Sequence, residues 1–494
     1  MTTTARMLWT GLLVIMALPL LLWLWGFSVD DAWIVTRVVE NGRKSGEFSF
    51  NLGAARTDAL TPLGFAELLS AVCRLVGTAD AFLAARVLGA GCLVISLAAA
   101  AWTALAPGAD PLGGLPLFGR LLAWLATAAV SPSLAAWAGA GLETPVVACL
   151  CTLGCAVWER AALAGRGAGG RAAGALLLGA ATAWRPELLG FSLACAFQLE
   201  RSAPSGPTPA ARFGLRALGL LAVLALPSLV ALGLRLAWFG APLPLSLSAK
   251  EPDLASGLRY AVGSLLLCGP LWLLWPLLLG ASEGARRWLP AFAAHALCVA
   301  LAGGDWMPLY RLWVPVLPWL IAVGVRELRP SRVAFASLFA AACTSTLLLF
   351  AYGSATRQVI PRRERMVAEL RATLGGARAV AAVDIGWVGR ATSAEVIDLA
   401  GVTDPRVAAL PGGHTSKRIH PGFFSARSVD TWLIRAADRS YVPAAPLSSI
   451  RCVYAVDQGL VRRAENLGFR AVSTLVLPGT GEQYVVARHE SVLR

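Results

Sequence analysis

The chain has 494 residues, of which 57% are hydrophobic and only 15% are charged, and its mean hydropathy is +0.64. Soluble proteins carry roughly 25% charged residues, so this composition excludes an ordinary soluble enzyme and a disordered chain. The net charge is +14, but the basic residues are mostly arginines scattered between apolar runs, which is typical of membrane topology and not of nucleic-acid binding. Most of the ten cysteines lie in or beside apolar segments, where we interpret them as small buried residues.

The first 353 residues consist of apolar runs separated by short polar segments. The run 7–27 predicts an uncleaved first span with its N-terminus in the cytoplasm. The run 172–199 carries Arg185-Pro186-Glu187 in its middle. Because proline and charge both interrupt a span, we expect two short helices that meet there. With the remaining runs, the predicted fold class is a polytopic α-helical membrane protein of about eleven spans. Those runs are 82–106, 118–131, 143–158, 217–238, 260–280, 288–303, 312–325 and 333–353.

Four short segments between the runs are rich in arginine, and such segments lie in the cytoplasm. If these segments are cytoplasmic, the loops must alternate between the cytoplasmic and the outer side. A span at 62–76 would break this alternation, so we expect a re-entrant or interfacial helix on the outer face there. The outer side then holds the first outer loop, 28–81, and the C-terminus. The arginine-rich segments are 159–171, 200–216, 281–287 and 326–332.

Beyond the last apolar run, short segments typical of β-strands alternate with helical ones. We expect residues 354–494 to form a small α/β domain on the outer side, next to a membrane domain of residues 1–353 that includes the first outer loop. The glycines at 386 and 389 are interpreted as turn residues, and the segment 428–438 is predicted to be helical. The predicted strands are 379–385, 394–399, 451–456, 471–477 and 483–488.

Two adjacent carboxylates, Asp30 and Asp31, follow the first span directly. With Trp33 and Arg37 after them, they predict a helix that lies along the membrane. The chemical interpretation is a general base, or an acid that binds a metal ion, facing a lipid-borne substrate. The alternative is a charge pair at the membrane exit that caps the helix and stabilises its dipole. An aspartate at position 30 that capped the helix would have a lowered pKa, which favours Asp31 as the base.

A second candidate is the loop 303–311, in which two glycines and a proline predict an irregular backbone between two spans. Arg311 could bind a phosphate, because a guanidinium group matches phosphate oxygens well. The alternative is an ion pair between Arg311 and Asp305 that closes the loop.

Lys250 is the only cation of the Pro- and Leu-rich loop 239–258, where it either contacts an anionic substrate or is simply solvated. In the C-terminal region, the glycine-rich loop around His414 could bind an anionic acceptor, or it could be a solvated loop. Its other basic residues are Lys417, Arg418 and His420, and the outer face also carries Glu143, Arg185 and Glu187.

Seven short motifs follow one another along the chain. They are Asp30-Asp31-Ala32-Trp33-Ile34 with Arg37, Phe50-Asn51, Leu60-Thr61-Pro62-Leu63, Gly141-Leu142-Glu143-Thr144, Arg185-Pro186-Glu187, Gly304-Asp305-Trp306-Met307 with Arg311, and Asp398-Leu399-Ala400-Gly401-Val402-Thr403-Asp404-Pro405. In this order they resemble the motifs of polyprenyl-phosphate-dependent membrane glycosyltransferases, in particular the bacterial terminal β-arabinofuranosyltransferases. The resemblance spans residues 28 to about 420. It implies the GT-C fold, a multi-span domain whose first outer loop bears the catalytic aspartate.

The resemblance further implies a sugar donor on a polyprenyl phosphate, presented on the outer face of the bacterial plasma membrane. The sugar would be a pentofuranose such as arabinofuranose, and the acceptor a glycan, lipid or protein of the cell envelope. The family pattern favours Asp30 as the base that takes the proton of the acceptor hydroxyl during an inverting displacement, with Asp31 orienting Asp30 or the acceptor. Whether a divalent cation, Mg²⁺ or Mn²⁺, binds at these aspartates stays open.

Departure of the leaving group produces a phosphate monoester, which needs positive charge at its oxygens. We expect this charge from Arg311 and Lys250, with Arg185 or the divalent cation as support. The residues expected to bind substrate are Arg37, Asn51, Glu143, Glu187, Asp305, Trp306 and His414.

A transporter or lipid flippase without chemistry is the competing class, because intramembrane charges and broken helices would serve it too. Against it, the two halves of the chain show no internal repeat, and the acids cluster on one face. A non-catalytic assembly factor with a periplasmic domain is the third alternative. Release of polyprenyl phosphate from a labelled donor distinguishes the transferase from both.

Overall fold

The structure is a computed structural model that describes residues 2–106, 115–163, 168–201, 210–250, 253–280, 282–420, 422–477 and 479–493. The chain forms two compact units. The first consists of Met1–Phe27, Ala85–Gly233 and Pro252–Arg357, and the second of Ser28–Ala84, Leu234–Glu251 and Gln358–Arg494. The second unit thus groups the first outer loop and the Lys250 loop with the C-terminal third, whereas the sequence analysis assigns the first outer loop to the membrane domain.

The apolar runs form helices, and several of these helices begin at a serine that caps them. The side chains of Ser131, Ser282 and Ser331 each accept a hydrogen bond from a backbone N–H of the first turn, which satisfies a donor that the helix itself cannot. The helices before residue 354 are Thr3–Trp23, Asp30–Ser45, Phe65–Val76, Ala81–Ala104, Leu117–Trp124, Pro132–Gly139, Thr144–Leu163, Ala168–Trp184, Leu189–Arg201, Ala210–Phe239, Leu245–Ser248, Leu254–Leu267, Leu274–Gly280, Glu283–Leu301, Leu317–Glu327 and Arg332–Leu348.

Among the described residues, five helices are long and apolar enough to cross a membrane, and two bent pairs raise the number to seven if each pair is one span. The predicted number of about eleven is therefore not confirmed. The run 312–325, for example, yields only the helix Leu317–Glu327, whose 11 residues extend roughly 17 Å against a hydrocarbon core of about 30 Å. The five helices are Thr3–Trp23, Ala81–Ala104, Thr144–Ala162, Arg216–Phe239 and Arg332–Thr373, and the pairs are Leu117–Ala129 with Pro132–Gly139 and Leu254–Leu267 with Gly269–Leu279.

The predicted break at Arg185-Pro186-Glu187 is confirmed. The helix Ala168–Trp184 ends there, a 3₁₀ turn covers Pro186–Leu188, and the helix Leu189–Arg201 follows. Arg185 has φ −137° and ψ 88°, because the ring of a following proline excludes the helical conformation.

The segment 62–76 forms the helix Phe65–Val76, whose 12 residues are too few to cross a bilayer, since a span needs about 20. The helix is amphipathic: Phe65 and Leu69 are buried, while the side chain of Leu75 is 86% exposed. This agrees with an interfacial helix, and the face of the membrane on which it lies stays a prediction.

The sidedness derived from the arginine-rich segments also stays a prediction, including the position of the C-terminus. Within these segments, residues 164–167, 202–209 and 281 lie outside the described residues. In the fourth segment, Arg326 is buried and pairs with Glu159 and Glu327, each over 2.8 Å. Arg326 therefore contributes to helix packing and adds little to the positive charge that determines topology.

The C-terminal third carries a five-stranded sheet in the order β2-β1-β3-β5-β4. Strands β2 and β3 pair parallel with β1, and β3 and β4 pair antiparallel with β5. Trp432, Ile434 and Val485 belong to its hydrophobic core. The strands are β1 Ala379–Ala382, β2 Glu395–Asp398, β3 Thr431–Ala436, β4 Phe469–Val476 and β5 Gln483–His489, and the helices include Val359–Thr373, Ile385–Ala391, Pro405–Ala408, Gly422–Ala426 and Ala455–Val461.

The sequence correctly predicts β1, β2, β4 and β5, but two predictions in this region are wrong. The segment 428–438, predicted to be a helix, contains β3, the middle strand of the sheet. The segment 451–456, predicted to be a strand, contributes one isolated bridge between Cys452 and Ala436 and then begins the helix Ala455–Val461. A strand that is buried on both faces, as β3 is, has no alternation of polar and apolar residues, so periodicity does not identify it.

Candidate functional site

Five of the predicted residues meet in the first unit, where they form what we call the ionic cluster. They come from three places: the start of the helix Thr144–Leu163, the break after Trp184, and the loop 303–311. Their side chains are at most 10% exposed. The charge of Asp305 acts on Arg185, so the three places contribute to one cluster. Its members are Glu143, Arg185, Glu187, Asp305 and Arg311.

Arg185 is the centre of one half of the ionic cluster. Its guanidinium lies 2.6 Å from Oε1 of Glu143 and 3.4 Å from Oε1 of Glu187, and it donates to the hydroxyl of Thr144 over 3.1 Å. Its Nε is buried without a hydrogen-bond partner among the described residues. The break before Pro186 brings Arg185 to this position, because the backbone there leaves the helical path.

Arg311 forms the other half with Asp305. Two of its nitrogens, Nε and one terminal nitrogen, lie 2.8 Å and 2.7 Å from Oδ2 of Asp305. The guanidinium carbon also lies 5.5 Å from the ring centre of Trp137, whose indole N–H donates to the carbonyl of Pro308 over 3.2 Å. The predicted alternative for this loop, an Asp305–Arg311 ion pair, is therefore present in the structure.

The backbone of the loop 303–311 is unusual at both ends. Gly303 and Gly304 adopt positive φ angles of 81° and 69°, and so do the non-glycine residues Leu309 and Tyr310, at 60° and 50°. Positive φ at residues with a side chain costs free energy and persists where the surrounding structure enforces it, often at functional sites. A Cβ at Gly304 would lie 2.5 Å from Cβ of Tyr260, so the loop requires a glycine there.

The ionic cluster holds three carboxylates and two guanidinium groups, which leaves one negative charge if all five are ionised. Both arginines already bind carboxylates, and their predicted contact with a donor phosphate stays a prediction. Hydroxyl groups of a sugar fit better, because they can donate to the carboxylates and accept from the guanidinium groups without adding charge.

In the second unit, Asp30 is the first residue of the helix Asp30–Ser45, and Val29 is its N-cap. The Asp30 carboxylate accepts hydrogen bonds from the backbone N–H groups of Gly386 over 3.0 Å and Trp387 over 2.8 Å. The side chain of Asp30 thus caps the start of a second helix, Ile385–Ala391, and not its own. The glycines predicted as turn residues lie within this helix.

The environment of Asp30 raises the pKa of its carboxyl group to about 8. Burial is the largest cause, and the negative charge of Asp384 adds to it, while the two backbone N–H groups oppose the shift. The expectation of a lowered pKa is therefore wrong, because burial outweighs the hydrogen bonds. Asp31 follows about 100° further around the same helix, and both aspartates are partly exposed.

Asp384 is the centre of a polar network that the sequence analysis does not find. Its carboxylate accepts hydrogen bonds from the hydroxyl of Tyr454 over 2.6 Å and from the hydroxyl of Tyr484. Arg435 donates to Asp384 over 3.1 Å and pairs with Glu482 over 2.7 Å. The available signal was the position of this acid at the carboxyl end of the predicted strand 379–385, since the carboxyl ends of parallel strands commonly carry functional groups.

Arg37, predicted to bind substrate, is hydrogen-bonded to five neighbouring groups in the structure, and its contact with a substrate stays a prediction. Its guanidinium donates to the carbonyls of Phe50 over 2.8 Å and Ala394 over 3.0 Å. It also donates to the carbonyls of Gly389 and Thr392 and to the side-chain oxygen of Asn51. These five bonds match the five N–H donors of an arginine, so Arg37 joins the segment 50–51 to the segment 389–394. Burial lowers the pKa of Arg37 to about 10, and the group stays charged at neutral pH.

Asn51 extends the edge of the sheet. Its side-chain amide accepts from the backbone N–H of Val396 over 2.9 Å and donates to the carbonyl of the same residue over 3.0 Å. These two bonds imitate a neighbouring strand beside β2. The oxygen and one N–H of the Asn51 amide thus serve the fold, and its predicted role in substrate binding stays a prediction.

The remaining predicted residues lie at the surface or partly buried. Lys250 is exposed after the short helix Leu245–Ser248. Trp306 is 62% exposed, and His414 is partly buried in the glycine-rich loop. Their contact with a substrate stays a prediction.

The sequence matches no family model and no curated protein. In structure, the chain is similar to the arabinosyltransferase EmbB from Mycobacterium smegmatis, with 13% identical residues and a TM-score of 0.40. The likeness covers 91% of this chain and 46% of that one, so the chain spans less than half the length of EmbB. A likeness at this level does not establish a shared activity.

The aspartates do not fit a divalent cation. Among the described residues, no group of three or more His, Cys, Asp or Glu side chains is arranged to hold a metal ion. We therefore derive no step through a metal. The arrangement offers a carboxyl group that can exchange a proton near neutral pH in one unit and a buried polar cluster in the other.

Proposed function

We propose that the protein is a membrane glycosyltransferase that moves a sugar from a polyprenyl-phosphate donor to a cell-envelope acceptor on the outer face of the bacterial plasma membrane. The sugar is a pentofuranose such as arabinofuranose. The proposal rests on the ordered motifs in the sequence and on one structural observation, the environment of Asp30.

The carboxyl group of Asp30 is oriented by two backbone N–H groups, and its pKa is raised to about 8. A general base works best when its pKa lies near the working pH, because it is then both ionised and able to hold a proton. An ordinary aspartate, with a pKa of about 3.9, is a much weaker base. This matched pKa supports proton transfer as the role of Asp30.

The reaction breaks one bond and forms one. The acceptor hydroxyl oxygen attacks the anomeric carbon, the bond from that carbon to the phosphate oxygen breaks, and the polyprenyl phosphate leaves with the electron pair. Asp30 takes the hydroxyl proton, and Asp31 orients Asp30 or the acceptor. A single displacement inverts the configuration at the anomeric carbon.

The ionic cluster is assigned to recognition of sugar hydroxyl groups. Arg185 and Arg311 already bind carboxylates, which offset much of the positive charge that a leaving phosphate would need. Lys250 is exposed, and we assign the phosphate to this residue.

The test uses the purified full-length protein with a radiolabelled polyprenyl-phosphate sugar. We expect polyprenyl phosphate to be released and the label to move to an acceptor. Movement of intact donor between membrane leaflets without release would identify a flippase and contradict the proposal. Neither release nor movement would also contradict it and favour an assembly factor.

Two aspartate variants and a control assign the base. Loss of a general base typically lowers the rate by 10²–10⁴-fold, so Asp30→Asn should lose most turnover, and Asp31→Asn should be milder. Asp438→Asn, in the turn after β3, is the matched control and should keep normal turnover. The assignment reverses if Asp31→Asn is inactive and Asp30→Asn is not.

A further inference from the structure

The second unit contains a cleft that brings together two of the three lysines of the chain. The cleft has a volume of about 410 Å³. Lys250 and Lys417 both line it, and the other lining residues include Leu245, Ser248 and Leu410. The sequence gives no reason to pair these lysines, because they stand in segments that it treats as separate sites.

The Lys250 side of the cleft is fixed to the first outer loop. The backbone N–H of Leu245 donates to the carbonyl of Asp58 over 3.3 Å, and the hydroxyl groups of Thr61 and Ser246 are hydrogen-bonded over 2.8 Å. The backbone N–H of Lys250 in turn donates to the carbonyl of Leu247 over 3.2 Å. The chain that presents Lys250 is therefore ordered before any ligand binds.

The Lys417 side is a tight loop closed by that lysine. The ammonium group donates to the carbonyls of Ala408 and Leu410, each over 2.9 Å, and the side chain is buried, with the residue 4% exposed. Gly412 has φ 102°, and a Cβ there would lie 2.2 Å from the carbonyl oxygen of Ser416. The loop therefore needs a glycine, and it holds the positive charge of Lys417 at one position.

The motif from Asp398 to Pro405 supports the same loop. The Asp398 carboxylate accepts hydrogen bonds from the backbone N–H groups of Ala400, Gly401 and Thr403, which bends the chain directly after β2. Asp404 then caps the next helix, Pro405–Ala408, whose ends line the cleft. This motif builds a wall of the cleft and offers no reactive group to it.

We propose that this cleft binds a phosphate monoester, with its oxygens at the exposed Lys250, attracted also by the fixed charge of Lys417, and its substituent against Leu245 and Leu410. Two ammonium groups favour a group that carries more than one negative charge, because hydrogen bonds between ions are about twice as strong as neutral ones. The apolar lining suits a substituent without charge. The ligand is either an isoprenoid phosphate, an identity that rests on the proposed function, or a soluble phosphate ester.

The small number of lysines allows a direct test. The full-length protein in detergent is acetylated with an amine-reactive ester in phosphate-free buffer, and modification of each lysine is followed by mass spectrometry. Lys44, exposed on the helix Asp30–Ser45, is the internal control. At a ligand concentration about ten times the Kd, modification of Lys250 should slow roughly tenfold, while that of Lys44 should not change.

Three ligands are compared in this experiment: geranyl phosphate, glycerol 3-phosphate and geraniol. Protection of Lys250 by geranyl phosphate at a lower concentration than by glycerol 3-phosphate supports a lipid phosphate, and equal protection supports a soluble one. The proposal is overturned if neither phosphate protects Lys250, or if geraniol protects it as well as geranyl phosphate does.

Two variants of Ser248 test whether binding in the cleft depends on charge or on the size of the side chain. Ser248 is exposed and lines the cleft, so Ser248→Glu adds a negative charge without disturbing buried groups, and it should abolish the protection. Ser248→Gln, of similar size, should keep it, and equal protection in both variants would contradict binding at this cleft. Transfer assays on the same preparations keep the two proposals distinct. Turnover without protection removes the cleft proposal and the assignment of the donor phosphate to Lys250, but it leaves the transferase. Protection without turnover removes the transferase alone.

Discussion

The carboxylate of Asp30 accepts a hydrogen bond of 3.0 Å from the backbone N–H of Gly386, although 356 positions separate the two residues. The approach is so close that a Cβ at Gly386 would lie 2.0 Å from the backbone oxygen of Asp30. The contact thus needs a residue without a side chain, and it joins the start of the helix Asp30–Ser45 to the start of the helix Ile385–Ala391.

We expect Gly386→Ala to destabilise the protein and to lower transfer activity. The added methyl group must displace the backbone at Asp30, and overpacking of this kind typically costs about 1–3 kcal/mol. The measurement is the apparent melting temperature of the full-length protein in detergent, with turnover measured in parallel. Gly459→Ala is the matched control, because Gly459 is also helical and its Cβ would meet open space. That variant should be unchanged or slightly more stable, and equal effects in both variants would contradict the close approach.

Transfer should depend on pH through Asp30. Only the ionised carboxylate can accept a proton, and the pKa of this group is about 8, so the rate should rise with pH up to about 8 and level off above it. Asp384→Asn removes a negative charge that raises the pKa of Asp30, and it should move the rising part of the profile to lower pH. The measurement is kcat/KM against pH for both proteins. An unchanged profile in an active Asp384→Asn variant would show that a different group titrates.

The raised pKa of Asp30 also predicts how the stability of the protein depends on pH. The usual pKa of an aspartate is about 3.9, and folding raises that of Asp30 to about 8. Between these values the folded protein keeps a proton that the unfolded chain has lost, so Asp30 makes the protein less stable as pH rises through this range. The Asp30→Asn variant lacks this contribution. We expect its melting temperature to fall less between pH 5 and pH 8 than that of the unchanged protein, and an identical fall would contradict the raised pKa.

The sequence predicts best what depends on neighbouring residues. The break at Arg185 follows from the restriction that Pro186 imposes on the preceding residue, and it appears where expected. The strand β3 is different: its position depends on pairing with β1 and β5, which its own residues do not reveal.

In the candidate site, too, contacts between distant segments could not be predicted from the sequence. The acceptors of Arg37 include the carbonyls of Gly389 and Ala394, 352 and 357 positions away, so residue type alone could not distinguish a positioning arginine from one that binds substrate. Lys250 and Lys417 line one cleft for a similar reason: folding, and not spacing, brings their segments together.

Arg37→Lys should lower stability and leave the KM for the donor unchanged. A lysine has three donors at one point and cannot reproduce the planar set of five that an arginine offers. A buried carbonyl left without a donor costs about 1–3 kcal/mol, and these carbonyls are partly buried, so the loss for each should lie at or below the lower end of that range. The control is Arg43→Lys on the same helix. Because Arg43 is exposed, this variant should lose little stability. A change in KM without a change in melting temperature would instead indicate that Arg37 contacts the substrate.

The last prediction concerns Asp305 and Arg311, whose ion pair can serve the fold, the substrate, or both. Removing one partner leaves a buried charge unpaired, which typically costs 3–5 kcal/mol, whereas removing both often costs little. We therefore expect Asp305→Asn and Arg311→Gln to lower the melting temperature strongly, and the double variant to recover most of it.

Turnover of the double variant then separates the two roles. If the ionic cluster binds sugar hydroxyl groups, as proposed, the double variant should be stable and remain slow, with a raised KM for the donor, because neutral side chains replace charge-assisted hydrogen bonds. If the pair only closes the loop 303–311, recovered stability should bring recovered turnover. Normal turnover in a stable double variant would therefore remove Asp305 and Arg311 from the substrate site and leave them a structural role alone.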